Sequence, residues 1–329
     1  LVPAVLSERD PQDDNRRVRI FLCPGQGAQK PGFLTEWLAD EATMRRARHY
    51  SEVLGIDLVR FGTVSDANTI RDTAIAQPLI VAAGLLSFHR LQDAGLVSPQ
   101  ADLGFAGHSV GEVTVAALAG ILTEEEALQF VGERSRLMAI QAAQTPTSMA
   151  AVVGGRREDV LAAISAHDLS PVNFNSSRQV VAAGTIPNIE GLVGDAPRGC
   201  RVIPLSVAGA FHSSYMRGAV EPLREFSRRL SPSDPIATVW SNRTGATMTS
   251  GSEFVNAMIE QVASPVHWEE CMAGMAAVSP EAFIELLPGG TLVGLAKHEV
   301  RGVPGIALRT VEDLATVEDT LSERAGVAR

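Results

Sequence analysis

Gly107-His108-Ser109-Val110-Gly111 is the stretch on which the reading of this chain turns. It fits G-x-S-x-G, the nucleophile elbow, in which a serine sits on a sharp turn between a strand and a helix. Asp102-Leu103-Gly104-Phe105-Ala106 before it reads as a short buried strand, and Glu112 to Gly120 after it as a helix of small apolar residues. The flanking glycines suit an elbow, which has no room for side chains where the turn packs against its neighbours. Ser109 is expected at the mouth of a sheet, with its hydroxyl exposed and a helix N-terminus behind it. In this setting the motif points to an acyl-handling serine enzyme.

Working outward, Val18-Arg19-Ile20-Phe21-Leu22-Cys23 reads as a buried strand stopped by Pro24 and a Gly-rich loop, and helical patterns follow to about Gly95. Thr123 with Glu126 three residues later forms a capping box. The helix it opens should run to about Gln144, where Thr145-Pro146 ends it. Beyond Ser148 the rhythm becomes strand, helix, strand, strand, helix, strand, with strands at Met149 to Val153, Leu169 to Phe174, Gln179 to Ala183 and Arg201 to Leu205. That is the ferredoxin-like order. Helices from Ser214, Ser252 and Trp268 then alternate with strands near Ile236 to Trp240 and Ala282 to Leu286, which implies a mostly parallel sheet covered by helices. The expected organisation is a disordered tail over residues 1–17, a large α/β domain built from 18–146 and 207–329, and a ferredoxin-like insert over 147–206.

The chain has 329 residues, 45% hydrophobic and 20% charged, with a net charge of −10. That charge argues against nucleic acid as a partner, and an acidic carrier could bind only through a local basic patch. Cys23, Cys200 and Cys271 share no close spacing, so no metal cluster or disulfide framework is expected and each reads as a small buried hydrophobe. The longest apolar stretch, Thr73 to Leu91, is interrupted by Gln77, Pro78, Ser87, His89 and Arg90, short of the roughly 18–20 residues of a membrane span. Leu1 to Arg17 lacks the pattern of a signal peptide and an initiator Met, and reads as a trimmed or added tail on a cytoplasmic protein.

A serine needs a general base, and the chain offers His49, His89, His108, His167, His212, His267 and His298. His108 adjoins the serine, and turn neighbours point apart. His49, His89 and His167 read as solvated histidines on helices. His212 is preferred, because it stands in a glycine-containing loop, Val207-Ala208-Gly209-Ala210-Phe211-His212-Ser213-Ser214, leaving the insert. No Asp or Glu between serine and histidine suits a third member, so a backbone carbonyl could orient the base. Pro24-Gly25-Gln26-Gly27-Ala28-Gln29 lacks the spacing of a nucleotide loop and could bring a donor to an oxyanion site opposite the Val110 N–H. Arg134 would clamp a substrate carboxylate if it turned inward, and would be an ordinary surface residue if it did not.

Together these residues resemble the malonyl-CoA:acyl carrier protein transacylase family, which includes the acyltransferase domains of fatty-acid and polyketide synthases. The matching residues are Gly25-Gln26-Gly27-Ala28-Gln29, Gln77-Pro78, Gly107 to Glu112, Arg134, Asn173-Phe174-Asn175, Gly209 to Ser213, Ser241-Asn242, Gln261 to Trp268 and Pro288 to Leu292. They run in family order over about Val18 to Leu314, and Phe61 to Ala83 looks most like the discrete actinobacterial form. The resemblance implies an α/β-hydrolase-like parallel-sheet domain with an inserted ferredoxin-like subdomain. It makes Ser109 the acylated nucleophile, His212 the base and the Gln261 carbonyl its orienter. Gln26 and Val110 would form the oxyanion hole, while Arg134, Phe211, Gln77 and His108 would meet the substrate. Phe211 stands where the family tends to carry Phe for malonyl and a smaller residue for methylmalonyl. The implied partners are malonyl-CoA and the phosphopantetheine of an acyl carrier protein, with no metal, no bound cofactor, no membrane and a monomeric enzyme. Rival readings are a transferase for another alkylmalonyl unit, a serine acyl hydrolase on the same scaffold, and a carrier-binding module without activity.

Overall fold

The computed structural model describes residues 18–97, 102–207 and 209–327, so the expected tail lies outside the described residues. The first strand, β1 (Arg19–Cys23), lies in the middle of a six-stranded sheet with β2 (Leu103–Gly107), β7 (Thr238–Trp240), β8 (Thr247–Met248), β9 (Ala282–Glu285) and β10 (Gly305–Ala307). The order is β10-β9-β1-β2-β7-β8, parallel except for β8, a two-residue antiparallel edge that the sequence pattern did not announce. A strand covered on both faces needs a continuous apolar run, and Ile20 to Cys23 is one. Its residues alternate between two cores: Phe21 and Cys23 face one side, Ile20 and Leu22 the other.

Helices α1 (Glu41–Leu54), α2 (Leu58–Thr63), α3 (Thr73–Asp93), α4 (Gly111–Leu118) and α5 (Glu124–Ala142) precede the insert. By length and composition α3 could cross a bilayer, despite the polar residues that interrupt it, yet 78% of its most apolar window is buried in the fold. A helix apolar all round belongs in a core, and here Phe88 packs edge-on against Phe21. The capping box that opens α5 is present: the Glu126 N–H donates to Thr123 Oγ1 and the Thr123 N–H to Glu126 Oε2.

The second sheet contains β3 (Thr147–Gly154), β4 (Ser170–Ser176), β5 (Gln179–Thr185) and β6 (Cys200–Pro204), joined through α6 (Arg157–Ala166) and α7 (Ile186–Gly194). Its order, β4-β5-β3-β6, is antiparallel throughout. The period of two gives the sheet two faces. Met149, Ala151, Val181 and Ala183 join the main core, whereas Ala150, Val152, Val180 and Ala182 pack with Ile164 and Leu192 of α6 and α7. The sheet is sewn to the main body at Val266, whose N–H donates to the Val172 carbonyl and whose carbonyl accepts from the Phe174 N–H.

The chain then passes through a short 3-10 stretch, Ser214–Ala219, where an α-helix was expected, before α8 (Val220–Ser227), α9 (Gly251–Gln261), α10 (Trp268–Ala277), α11 (Thr291–Glu299) and α12 (Asp313–Val327). Cys23 and Cys271 are buried as expected. Cys200 is not: it is half-exposed at the start of β6, an edge strand.

Candidate active site

The elbow glycines are demanded by backbone contact. A Cβ on Gly107 would lie 2.2 Å from the Gly111 carbonyl carbon, and one on Gly111 would lie 2.1 Å from the Cys23 carbonyl oxygen. Ser109 itself has φ 54°, the left-handed region that side chains avoid. Two bonds hold it there. The Ser109 N–H donates to Asn242 Oδ1 at 2.7 Å, and the His108 N–H to the Cys23 carbonyl at 3.0 Å.

His212, also left-handed at φ 61°, places Nε2 2.6 Å from Ser109 Oγ. Its Nδ1 lies 2.7 Å from the Gln261 carbonyl oxygen. A carbonyl can only accept, so Nδ1 carries the proton and Nε2 presents its lone pair to the hydroxyl. Burial, and then the nearby charge of Arg134, push the pKa of His212 down to about 3. The imidazole is therefore neutral at physiological pH and free to take a proton.

Arg134 turns inward from α5 and is 1% exposed. It donates from Nη1 to Gln77 Oε1 and from Nη2 to Gln261 Oε1 at 3.0 Å. Both acceptors are neutral amides. Burial lowers its pKa to about 10, which leaves it charged at neutral pH. Among the described residues no carboxylate contacts this guanidinium. A buried cation without a contacting anion is costly, and this one lines the same cavity as Ser109.

The Gln26 side chain is occupied, donating to the Arg71 carbonyl and accepting from Thr73 Oγ1. Gln26 also lines the cavity, and its backbone N–H remains as a donor. Among the described residues neither that N–H nor the Val110 N–H has a protein acceptor. The loop lies tight on the elbow, since a Cβ on Gly25 would come within 2.8 Å of the His108 carbonyl oxygen. His108 Nε2 is 2.8 Å from Asn175 Oδ1, its ring is edge-on to Trp268, and burial lowers its pKa. It is held as a neutral wall. Phe211 is buried beside His212 and lines the cavity together with Gln26, Gln77, His108, Ser109, Val110 and Arg134. Gln261 stands behind them. Away from the site, His49, His89 and His167 pair with Glu125, Glu124 and Asp195, and His267 stacks on Phe174.

Two residues that the sequence reading left without a role complete the arrangement. Asn242 donates from Nδ2 to the Gly107 carbonyl at 2.7 Å while its Oδ1 holds the Ser109 N–H. Glu112, 1% exposed, accepts from the Asn242 N–H and from Gln261 Nε2, each at 2.6 Å. A carboxylate opening an otherwise apolar helix was the visible signal for Glu112. For Asn242 the signal was its place after a strand, within the Ser241-Asn242 match to the family.

A serine on an elbow against a neutral histidine, beside a buried guanidinium on a parallel α/β sheet, defines an acyl-transfer enzyme. The pattern of the family described as acyl transferase domain matches residues 20–314. The chain belongs to the malonyl-CoA:acyl carrier protein transacylase family. A malonyl CoA-acyl carrier protein transacylase of Mycobacterium tuberculosis (strain ATCC 25618 / H37Rv) is 39% identical over 294 residues, 89% of this chain and 97% of its own length. The crystal structure of the transacylase from Mycobacterium tuberculosis superimposes with a TM-score of 0.88 at 38% identity, covering 91% of this chain and 99% of that one. A malonyl-transacylase solved in complex with its type II polyketide acyl carrier protein gives 0.84 at 26% identity, covering 92% and 99%.

Proposed function

We propose that the chain moves a malonyl group from malonyl-CoA to the phosphopantetheine thiol of an acyl carrier protein through an acyl-enzyme on Ser109. The observation that carries this is Arg134: a buried, charged guanidinium with only neutral acceptors, in the cavity that holds Ser109 Oγ. An acyl group bearing a free carboxylate supplies the missing anion, and an acetyl group does not.

His212 Nε2 takes the Ser109 proton as Oγ attacks the thioester carbonyl. The oxyanion is received by the backbone N–H groups of Gln26 and Val110, the Gln26 side chain being held by Arg71 and Thr73. Collapse breaks the carbon–sulfur bond, and the leaving CoA sulfur takes the proton from His212. The carrier thiol then enters, gives its proton to His212 and attacks the ester, and the proton returns to Ser109 Oγ. The Gln261 carbonyl fixes the tautomer of His212 throughout without adding a charge. Gln77 holds Arg134, and His108 walls the pocket. Phe211 fills the space an α-methyl would need, a discrimination worth about 1–3 kcal/mol.

A carrier as acceptor is supported by the related transacylase solved with its carrier protein, and the carrier is of fatty-acid or polyketide type. The reading is of a monomeric enzyme without a resident cofactor, acting in the cytoplasm. The division into a main domain (18–146 and 207–329) and an insert (147–206) follows the two sheets. The test is intact-protein mass spectrometry after mixing with malonyl-CoA, then with a holo carrier protein. A malonyl adduct on the parent and not on Ser109→Ala, which then moves to the carrier, is the expected result. An adduct lost only to water would make the chain a hydrolase, and no adduct would remove Ser109 as nucleophile.

A further inference from the structure

The steps above leave Glu112 without a task, although it is buried behind the cavity. Its Oε1 accepts from the Asn242 N–H and its Oε2 from Gln261 Nε2. The other end of that same Gln261 amide, Oε1, accepts from Arg134 Nη2 at 3.0 Å. Both oxygens of Glu112 meet N–H donors, so Oε2 faces the NH2 end of that amide. Asn242 Oδ1, 3.1 Å from Gln261 Nε2, imposes the same polarity, and its own direction is fixed by the Ser109 N–H. The oxygen of Gln261 must therefore point at Arg134.

We infer that Glu112 is a positioning residue for acyl-group selection: through the Gln261 side chain it fixes the amide that presents Arg134 to the substrate carboxylate, and it supplies that guanidinium's counter-charge one amide away. The inference rests on the proposed role of Arg134. The separation matters. A carboxylate in direct contact would occupy the N–H groups that an acyl carboxylate must use, whereas one behind an amide offsets the charge and leaves them free.

Glu112→Gln keeps the shape and breaks the polarity. The new amide has one oxygen for two donors: its NH2 meets Gln261 Nε2 and sets that amide against Arg134, or it meets the Asn242 N–H, and in either case the counter-charge is gone. Two rates at Ser109 separate the outcomes: formation of the malonyl adduct at low malonyl-CoA, and labelling by a neutral fluorophosphonate, which needs Ser109 and His212 but no carboxylate clamp. Malonylation is expected to fall roughly 10- to 100-fold, the range for a hydrogen bond to a charged group, with labelling within about threefold. Equal losses would mean a merely structural residue, and no loss in either would also overturn the inference. A parent protein that labels yet takes no malonyl group would sink the transfer reading, and this inference with it.

A second measurement needs no change at position 112. The ionisable groups facing Glu112 are Arg134 on α5 and the Cys271 thiol on α10, which burial keeps neutral, while His212 lies beyond Gln261. Burial pushes Glu112 up to about 7 against the opposing pull of Arg134. An acyl carboxylate that cancels the field of Arg134 should draw a proton onto Glu112. His212, at about 3, stays neutral at pH 7. Calorimetric titration of Ser109→Ala protein at pH 7, in buffers of different ionisation enthalpy, should show more proton uptake with malonyl-CoA than with acetyl-CoA. Equal proton counts for the two donors would overturn the counter-charge.

Discussion

His212 illustrates how much a single residue owes to its surroundings. An exposed histidine is half protonated near pH 6.5, and a protonated one cannot serve as base. Burial and the Arg134 charge lower its pKa to about 3, so the neutral form persists through the usual histidine range. Labelling of Ser109 by a neutral fluorophosphonate should therefore stay flat from about pH 8 down to about pH 5, where an ordinary histidine would lose most of its neutral form. A fall centred near 6.5 would show that His212 is solvated. The same depression has a stability cost. Below about 6.5 the unfolded chain binds a proton that the folded one refuses, so the contribution of His212 to stability is lost as pH falls from about 6.5. Arg134 yields the companion prediction. Arg134→Ala leaves a malonyl carboxylate buried without its cation, which should lower the malonyl-to-acetyl ratio of kcat/KM by roughly 100-fold or more. An unchanged ratio in steady-state assays with both donors would remove the clamp.

At the scale of elements, the elbow joins β2 to α4 with no slack. Gly111→Ala drives a methyl group into the Cys23 carbonyl at the end of β1, a backbone atom that cannot swing away. The expected result is a loss of about 1–3 kcal/mol in urea unfolding, the range for overpacking, together with loss of Ser109 labelling as the turn opens. A stable, fully labelled Gly111→Ala protein would show that β1 and the elbow can part. The glycine spacing was legible in the sequence because this steric demand is local. The direction of Arg134 on α5 was not, since a helix pattern that contains Glu133, Arg134 and Arg136 leaves open which of them turns inward. Packing of α5 against α3 decides it, by bringing Gln77 to meet the guanidinium.

Across the whole molecule, the inserted sheet forms part of the wall of the site. Asn173 of β4 lines the cavity and Asn175 holds His108. The seam that keeps β4 in place includes Phe174, stacked on His267 with ring centroids 5.3 Å apart, and Arg157, bonded to Glu269 of α10 and poised over the Phe174 ring. Phe174→Ala should cost about 2 kcal/mol, combining lost area and lost stacking, and should lower Tm by several degrees. Thermal denaturation that matched the parent would mean the Phe174 ring adds nothing to the seam and that the Val266 bridges, Arg157–Glu269 and the shared core hold the insert.

The sequence by itself determined the strand–turn–helix at Ser109, the strand and helix order of the second sheet and the capping box of α5, and it pointed to His212 ahead of six other histidines. These follow from local sterics, hydrophobic period and loop chemistry, which act over a few neighbouring residues. Tertiary structure alone decided that the Gln26 side chain is tied to Arg71 and Thr73. It also decided that Asn242 holds the Ser109 backbone, that Arg134 is buried without a contacting carboxylate, and that Glu112 meets Gln261 149 positions away. Hydrogen-bond partners so distant in the chain carry no periodic signal, and they come together only when the sheet, α5 and α9 pack around one cavity.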